Sequence, residues 1–275
     1  MAGHTRRVAS PTAETPAGVL APLIDDPARA AVLFDIDGTI APIVDKAEDA
    51  YVPPSTSSLL GQLARRYALV ACVSGRSAAE ARRMVGVGSI LYVGMHGAER
   101  LGPGATQPQL RTELEPWTAK VREFTESVTD GFRLLGIRIE DKGPIVALHW
   151  RRAPDEAAAR RRLDDVAETA VAAGLNTHWG RKVLEIRPPV EISKRLAVRD
   201  LVLEAGASGA LFAGDDTTDL DAFDALDELA AEGTLSTAIR IGVRSDEGPP
   251  ELIERADLVV ESVPGFAAVL ETLVG

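Results

Sequence analysis

Two aspartates one residue apart, Asp35 and Asp37, end the apolar run in Ala31-Val32-Leu33-Phe34-Asp35-Ile36-Asp37-Gly38-Thr39-Ile40. A short apolar run closed by a turn signal reads as a buried strand of a parallel sheet. In open α/β sheets ligands bind beyond the carboxyl ends of the strands, so both carboxylates stand where chemistry is expected. The alternative is a strand followed by an Asp-Gly hairpin turn, with Asp37 present for its turn propensity.

Three more candidate strands end on polar groups: Ser74, His96, and the acid-rich Asp215-Asp216-Thr217-Thr218-Asp219. Lys194 opens a candidate helix between the last two. Parallel strands put their carboxyl ends on one edge, so the pattern predicts that these groups converge. Several carboxylates around one point repel each other and any anionic substrate. A hard divalent cation resolves both conflicts, and Mg²⁺ takes one or two carboxylates plus waters and substrate phosphate. Carboxylates with raised pKa values and no metal are the alternative.

The elements that must position these groups alternate in type. Pro53-Pro54-Ser55 opens a helix with Leu59, Leu60 and Leu63, closing near Arg65-Arg66. Ala68–Val73 reads as a second buried strand, Ala78–Met84 as a helix, and Ile90–Val93 as a third strand ending at Gly94-Met95-His96-Gly97-Ala98-Glu99. Such alternation predicts a doubly wound parallel sheet. It breaks at Gly102–Pro108, a linker by composition. Beyond that come a helix over Pro116–Val128, a hairpin of Leu134–Glu140 and Ile145–Trp150, a long helix over Pro154–Ala173, and a strand over Gly180–Arg187 closed by Pro188-Pro189. The first pattern then resumes with a helix over Lys194–Ala205, a buried strand over Gly209–Ala213, another helix, a strand over Ala238–Val243 and a last helix.

The expected fold class is therefore α/β: a doubly wound parallel-sheet (Rossmann-like) core over residues 28–104 and 190–275, with an inserted α+β cap domain over 105–189. Residues 1–27 read as a mobile lead-in containing a short helix around Gly18–Ile24. Pro103–Thr106 and Pro188-Pro189 read as hinges by composition.

Bulk composition narrows the function classes. A net charge of -11 opposes a broad nucleic-acid or anionic-membrane surface. Four histidines and one cysteine cannot supply a four-ligand Cys/His zinc site of the usual kind. Cys72 alone excludes an intramolecular disulfide, which fits a reducing compartment, and its place in an apolar run reads as core filling. No apolar run approaches the ~20 residues needed to span a bilayer. Ser10–Pro16 occupies the place where a signal peptide beginning at Arg6-Arg7 needs its apolar region. The expected location is cytoplasmic, and the expected state a monomer acting on a small molecule, with no nucleic acid and no membrane. The cluster Arg160-Arg161-Arg162 reads either as a nucleic-acid patch or as a solvated, salt-bridged helix face. Glu156, four residues before Arg160, and the following Asp164, Asp165 and Glu168 favour the second.

Taken in order, Asp35-Ile36-Asp37-Gly38-Thr39, Ser74, Lys194 and Gly214-Asp215-Asp216 resemble the signature of the haloacid dehalogenase superfamily of phosphatases. The insert between the serine and the lysine matches that superfamily's larger cap class. Within it, Ser74-Gly75-Arg76, Gly94–Glu99, Glu140-Asp141-Lys142-Gly143, Glu185-Ile186-Arg187-Pro188 and Gly214–Asp219 resemble the trehalose-6-phosphate phosphatase family. Two positions depart from its pattern. Arg195 follows Lys194 where glycine is usual, and Leu220 follows Asp219 where an acid is usual.

The resemblance implies a Mg²⁺-dependent phosphatase that hydrolyses trehalose 6-phosphate through an aspartyl-phosphate. It implies Asp35 as the nucleophile, Asp37 as general acid and then base, and Mg²⁺ held by the Asp35 carboxylate, the Asp37 main-chain carbonyl and Asp215. Ser74 and Lys194 would bind the phosphate oxygens. Thr39, Asp216 and Asp219 would surround these groups, the two aspartates orienting metal-bound water or the lysine. Only five of the thirty basic residues are lysines. Lys194 therefore stands out, because a compact ammonium binds phosphate as a point charge that arginine does not simply replace; the competing reading is a surface lysine at a helix start.

Substrate recognition falls to Arg76, His96, Lys142, Glu185 and Arg187. His96 stands beside two glycines at a strand end. Lys142, Glu185 and Arg187 are either sugar-binding groups or an ordinary cross-strand ion-pair set. His149 reads as a half-buried strand residue, and His178 and His4 carry no functional signal. Rival readings are a capped phosphatase acting on another sugar or sugar-acid phosphate, and a non-catalytic carbohydrate- or phosphate-binding protein.

Overall fold

All five residues of β1 (Ala30–Phe34) are buried, as an Ala-Ala-Val-Leu-Phe run with no polar face requires. A computed structural model describes residues 15–44, 50–180, 182–245 and 248–275 of the chain. Residues 1–14, on which the lead-in, the absence of a signal peptide and the reading of His4 largely rest, lie outside the described residues. No helix among the described residues is long and apolar enough to cross a membrane.

Before β1 comes α1 (Pro16–Asp25), which overlaps the short helix expected there. Pro16 starts it, the Thr15 hydroxyl accepts a hydrogen bond from Gly18 N at 3.3 Å, and its Leu20 and Leu23 are buried. The next elements fall where the sequence places them: α2 (Pro54–Leu63), β2 (Leu69–Val73), α3 (Ala78–Val85) and β3 (Leu91–Gly94).

Three local expectations need correction. The Gly102–Pro108 linker is the turn of a hairpin between β4 (Glu99–Leu101) and β5 (Gln109–Leu110), with Glu99 opposite Leu110; Gly104 supplies the left-handed turn conformation at φ 71°. Its composition made it look like a hinge, but it is tied on both sides. After α4 (Trp117–Val128), the hairpin strand begins at Arg138, not Leu134; β6 (Arg138–Asp141) pairs with β7 (Val146–His149), and Leu134 is 88% exposed. The long helix α5 (Glu156–Ala172) starts after Asp155, whose carboxylate accepts from Ala158 N at 2.9 Å as its cap. The single strand expected over Gly180–Arg187 is instead a second hairpin, β8 (Asn176–Gly180) and β9 (Val183–Arg187), turned at Lys182 with φ 57°. A continuous polar run hid that turn, since nothing between Gly180 and Val183 is a usual turn pair.

The last part contains α6 (Lys194–Ala205), β10 (Gly209–Gly214), α7 (Asp219–Ala231), β11 (Thr237–Arg244), α8 (Pro250–Arg255), β12 (Leu258–Glu261) and α9 (Ser262–Val274). The sequence predicts one last helix after β11. The short run Leu258-Val259-Val260 becomes a strand by pairing in parallel with β11, from Ile241 opposite Leu258 onward.

The chain divides into two compact units. The first comprises the described parts of Met1–Val73, Ala81–Leu91 and Lys194–Gly275. Its strands run parallel in the order β12-β11-β10-β1-β2. α6 and α7 pack on each other and on these strands, and α9 packs with α1 and α2 as well as β11 and β12. This is the doubly wound sheet expected from the alternation. It excludes a hairpin after β1, because both neighbours of β1 are parallel. The chain adds strands on one side from β1 to β2 and on the other from β10 to β12, so the topological switch lies between β1 and β10. Ligands collect at such a point.

The second unit, Ser74–Glu80 and Tyr92–Ser193, holds the β3-β4-β5 strands and a four-stranded antiparallel sheet in the order β6-β7-β9-β8. Val146, Leu148, Leu184 and Ile186 of that sheet pack with α4 and α5 residues into one core. Strand alternation turns Glu140, Ala147, Glu185 and His178, paired across the sheet, to the opposite face.

Candidate active site

The register Phe34 to Ala213 sets the ends of β1 and β10 side by side, and Asp35 N extends the ladder by donating to Ala213 O at 2.9 Å. The chain then folds tightly on Ile36, whose carbonyl accepts from Thr39 N, Ile40 N and Ala41 N at 3.2, 2.9 and 2.9 Å. Gly38 sits in this loop at φ 82°, and a Cβ there would lie 2.0 Å from Asp215 Oδ2. Only glycine lets the Asp215 carboxylate rest on the loop that carries Asp35 and Asp37.

Asp219, at the start of α7, organises the other side. Its Oδ2 accepts from Asp215 N at 2.9 Å and Asp216 N at 3.1 Å, and its Oδ1 accepts from Lys194 Nζ at 2.6 Å. Lys194 is 1% exposed, which removes the surface-lysine reading, and its Nζ also lies 3.2 Å from Asp35 Oδ1. Asp216 turns away: its Oδ1 accepts from Thr218 N and Oγ1 at 2.8 and 2.7 Å.

Oxygens of Asp35, Asp215 and Asp219 lie within 4.8 Å of one another. Burial, reinforced by Asp219, Asp216 and Asp37, pushes the Asp35 carboxyl well up despite the opposing pull of Lys194. Burial and the charges of Asp219 and Asp216 push Asp215 up to about 7. Burial works to lower Lys194, but Asp219 and Asp35 outweigh it and hold the ammonium charged. One lysine thus faces three carboxylates.

The choice between protonated acids and a bound cation turns on the oxygens that remain unspent. Asp219 has committed both of its oxygens, whereas Thr39 Oγ1 and Asp215 Oδ1 are buried and make no hydrogen bond, and Asp35 Oδ1 has only the 3.2 Å ion pair with Lys194. Buried polar atoms are rarely left in that state. Carboxylate oxygens this close together, with one ammonium among them and no hydrogen bond on Asp35 Oδ1 or Asp215 Oδ1, fit a hard divalent cation with oxygen ligands.

The remaining candidates belong to the second unit. Ser74, directly after β2, is buried; its N donates to Val93 O at 3.0 Å, its carbonyl accepts from His96 N at 3.0 Å, and its Oγ accepts from Arg76 N at 3.3 Å. Met95 and His96 both have positive φ, 50° and 56°, a conformation rare for such residues and frequent at functional sites. The His96 ring lies against Gly75, where a Cβ would come 2.7 Å from Cε1 and Nε2. Glu99 Oε1 accepts from Ala78 N at 2.6 Å and ties the same segment to the start of α3.

Glu185 draws together the rest. Its Oε1 lies 3.7 Å from Lys142 Nζ and its Oε2 2.5 Å from the Arg187 guanidinium, while the charges of these two and of His96 outweigh burial and hold it below the ordinary glutamate range. His149 is the half-buried strand residue expected, and its Nε2 lies 2.7 Å from Glu140 Oε2. Arg160 pairs with Asp164 at 3.0 Å and stacks 3.5 Å over the Trp179 ring, while Glu156 pairs with Lys182, not Arg160. Arg162 donates to Val128 O, so that helix face is only partly the solvated one expected.

The structure thus brings Asp35, Thr39, Lys194, Asp215 and Asp219 together in one unit, and His96, Lys142, Glu185 and Arg187 in the other. Arg195, at the position that departs from the resembled pattern, points outward to Glu228, with Nη2 to Oε1 at 2.8 Å.

Residues 33–255 match the family described as Trehalose-phosphatase. A trehalose-phosphate phosphatase of Mycobacterium marinum is 34% identical over 213 residues, covering 72% of this chain and 52% of the relative. The chain thus spans about half the length of the curated relatives it matches. Among solved structures, a trehalose-6-phosphate phosphatase related protein superposes with a TM-score of 0.69 at 25% identity, over 89% of this chain and 96% of that one. The C-terminal domain of the C. albicans trehalose-6-phosphate phosphatase has the same fold, with a TM-score of 0.73 at 22% identity over 94% and 96% of the two chains. By its sequence match over most of its length, the chain belongs to the trehalose-phosphatase family.

Proposed function

We propose that the chain is a Mg²⁺-dependent phosphatase that releases trehalose and phosphate from trehalose 6-phosphate. The observation that carries this reading is the pair Asp35 and Asp215, each with a buried oxygen that makes no hydrogen bond and with a single lysine to balance them, on adjacent strand ends at the topological switch. The family membership and the similar named relatives support the substrate.

Asp35 and Asp215, with the Asp37 main-chain carbonyl, would hold Mg²⁺. When bound, the ion neutralises phosphate charge so that an anionic nucleophile approaches an anionic ester. Asp35 forms a bond to phosphorus as the sugar oxygen leaves, and Asp37 gives that oxygen its proton. Asp37 then takes a proton from water as the water oxygen bonds to phosphorus and the Asp35 carboxylate is released. Lys194 and Ser74 bind the equatorial oxygens, where charge spreads in the transition state. Asp219 keeps Lys194 charged and in place. Arg76, His96, Lys142, Glu185 and Arg187 recognise the sugar, whose hydroxyls match the acceptors and donors of these side chains; Lys142 and Arg187 are held by their ion pairs with Glu185.

A panel of sugar phosphates tests the substrate. Trehalose 6-phosphate should be turned over far faster than glucose 6-phosphate or a sugar-acid phosphate; comparable turnover of several would leave a capped phosphatase of broader range.

A further inference from the structure

Among the described residues, four buried side-chain oxygens lack a hydrogen bond: Asp35 Oδ1, Thr39 Oγ1, Asp215 Oδ1 and Ser245 Oγ. Asp35 and Asp215 belong to the acid cluster, and Thr39 to the loop that carries Asp35 and Asp37. Ser245 follows the end of β11 and falls in no motif that the sequence singles out.

Its position nonetheless leads back to Asp215. β11 is the parallel neighbour of β10, and the register sets Gly214 opposite Gly242, so the chain leaving β11 runs beside the chain leaving β10. Gly248 packs into the space between them. A Cβ there would lie 2.7 Å from Asp215 O and 3.1 Å from Ser245 Oγ. The Ser245 hydroxyl also lies within interaction range of the Asp215 carboxylate, without closing a hydrogen bond. A buried hydroxyl with no partner, set beside a carboxylate oxygen with no partner, is an incomplete arrangement.

We infer that Ser245 is a positioning residue for the divalent-cation site, its hydroxyl donating to the Asp215 carboxylate and fixing which oxygen faces the ion. The inference rests on the proposed cation site. Groups that hydrogen-bond a ligating carboxylate orient it and tune its affinity, and their loss typically weakens metal binding about 10–100-fold. A hydroxyl that merely fills space would have no such effect.

Calorimetric titration of the metal-free protein with Mg²⁺ tests this, with no substrate present. Ser245→Ala should weaken the Mg²⁺ dissociation constant by about tenfold or more, and Ser245→Thr, which keeps the hydroxyl, should restore most of the affinity. Ser245→Cys fills the same space with a weak donor and should behave as Ser245→Ala, so the test survives if the alanine variant does not fold. Asp215→Asn serves as the ligand control. If that variant loses Mg²⁺ while Ser245→Ala and Ser245→Cys bind it as the native chain does, the inference is overturned and the cation site stands. If the native chain itself binds no Mg²⁺, the proposed site fails, and this inference with it.

Discussion

Asp219 and Lys194 form an ion pair of 2.6 Å between two side chains that are 0% and 1% exposed. The second Asp219 oxygen holds the main-chain N–H groups of Asp215 and Asp216, so one carboxylate sets both the buried lysine and the acid loop. Removing one partner of such a pair leaves a buried charge uncompensated, at a cost of about 3–5 kcal/mol. Asp219→Ala should lose stability on that scale in urea unfolding. A variant within about 1 kcal/mol of the native chain would show that the pair is not a structural anchor.

Gly38 is the narrowest steric point of the site. Alanine there would set its Cβ 2.0 Å from Asp215 Oδ2 in a backbone conformation that L residues rarely adopt. The carboxylate must move, so Gly38→Ala should lower kcat/KM by about a hundredfold, the scale on which misplacement by an ångström acts. It should also raise the Mg²⁺ concentration needed for half activity. Native Mg²⁺ dependence in this variant would mean that Asp215 is not held by the loop.

Asp35 offers opposite expectations for activity and stability. Asp35→Asn removes the proposed nucleophile and should lower kcat by about 10³-fold or more. The same change removes a buried carboxylate that Asp219, Asp216 and Asp37 repel, so the metal-free variant should melt at or above the temperature of the metal-free native chain. Thermal melts in EDTA check this. A clear drop would show that the Lys194 contact outweighs burial and repulsion.

The fold was legible wherever a single apolar run buries both faces. β1, β2 and β10 announce themselves because a strand covered by helices on either side needs no polar alternation. The turn between β8 and β9 was not legible, because Lys182 adopts a left-handed conformation that its side chain does not advertise. β12 was missed because three apolar residues become a strand only through their neighbour. Within the site, Asp35 and Asp215 directly follow buried strands and Lys194 opens a helix, so the ends of recognisable elements pointed to them. The part played by Gly38 and the position of Ser245 arise from loops that meet only in three dimensions, and the Glu140–His149 contact needs the β6–β7 register.

Glu185 gives the scheme a pH dependence. Burial raises its carboxyl, and Arg187, Lys142 and His96 outweigh that and bring it below its ordinary value of 4.5. A carboxyl depressed on folding adds stability above its unfolded pKa and loses it as pH falls through the lowered folded value. Glu185 should therefore stay ionised, and KM should stay flat in this respect, down to the ordinary glutamate range. Arg187→Met removes the largest charge opposing burial, so Glu185 should take up its proton at higher pH than in the native chain. KM for trehalose 6-phosphate measured from pH 8 down to 5 should then rise toward acid in the variant and not in the native chain. Parallel profiles would show that Glu185 does not bind the sugar in its charged form.

Phosphate release from trehalose 6-phosphate, set beside glucose 6-phosphate and assayed with Mg²⁺ and after chelation by EDTA, bears on the whole scheme at once. Rapid release from the disaccharide alone is expected, abolished by EDTA and restored by added Mg²⁺. Release that persists after chelation, or no release from trehalose 6-phosphate with Mg²⁺ present, would contradict it.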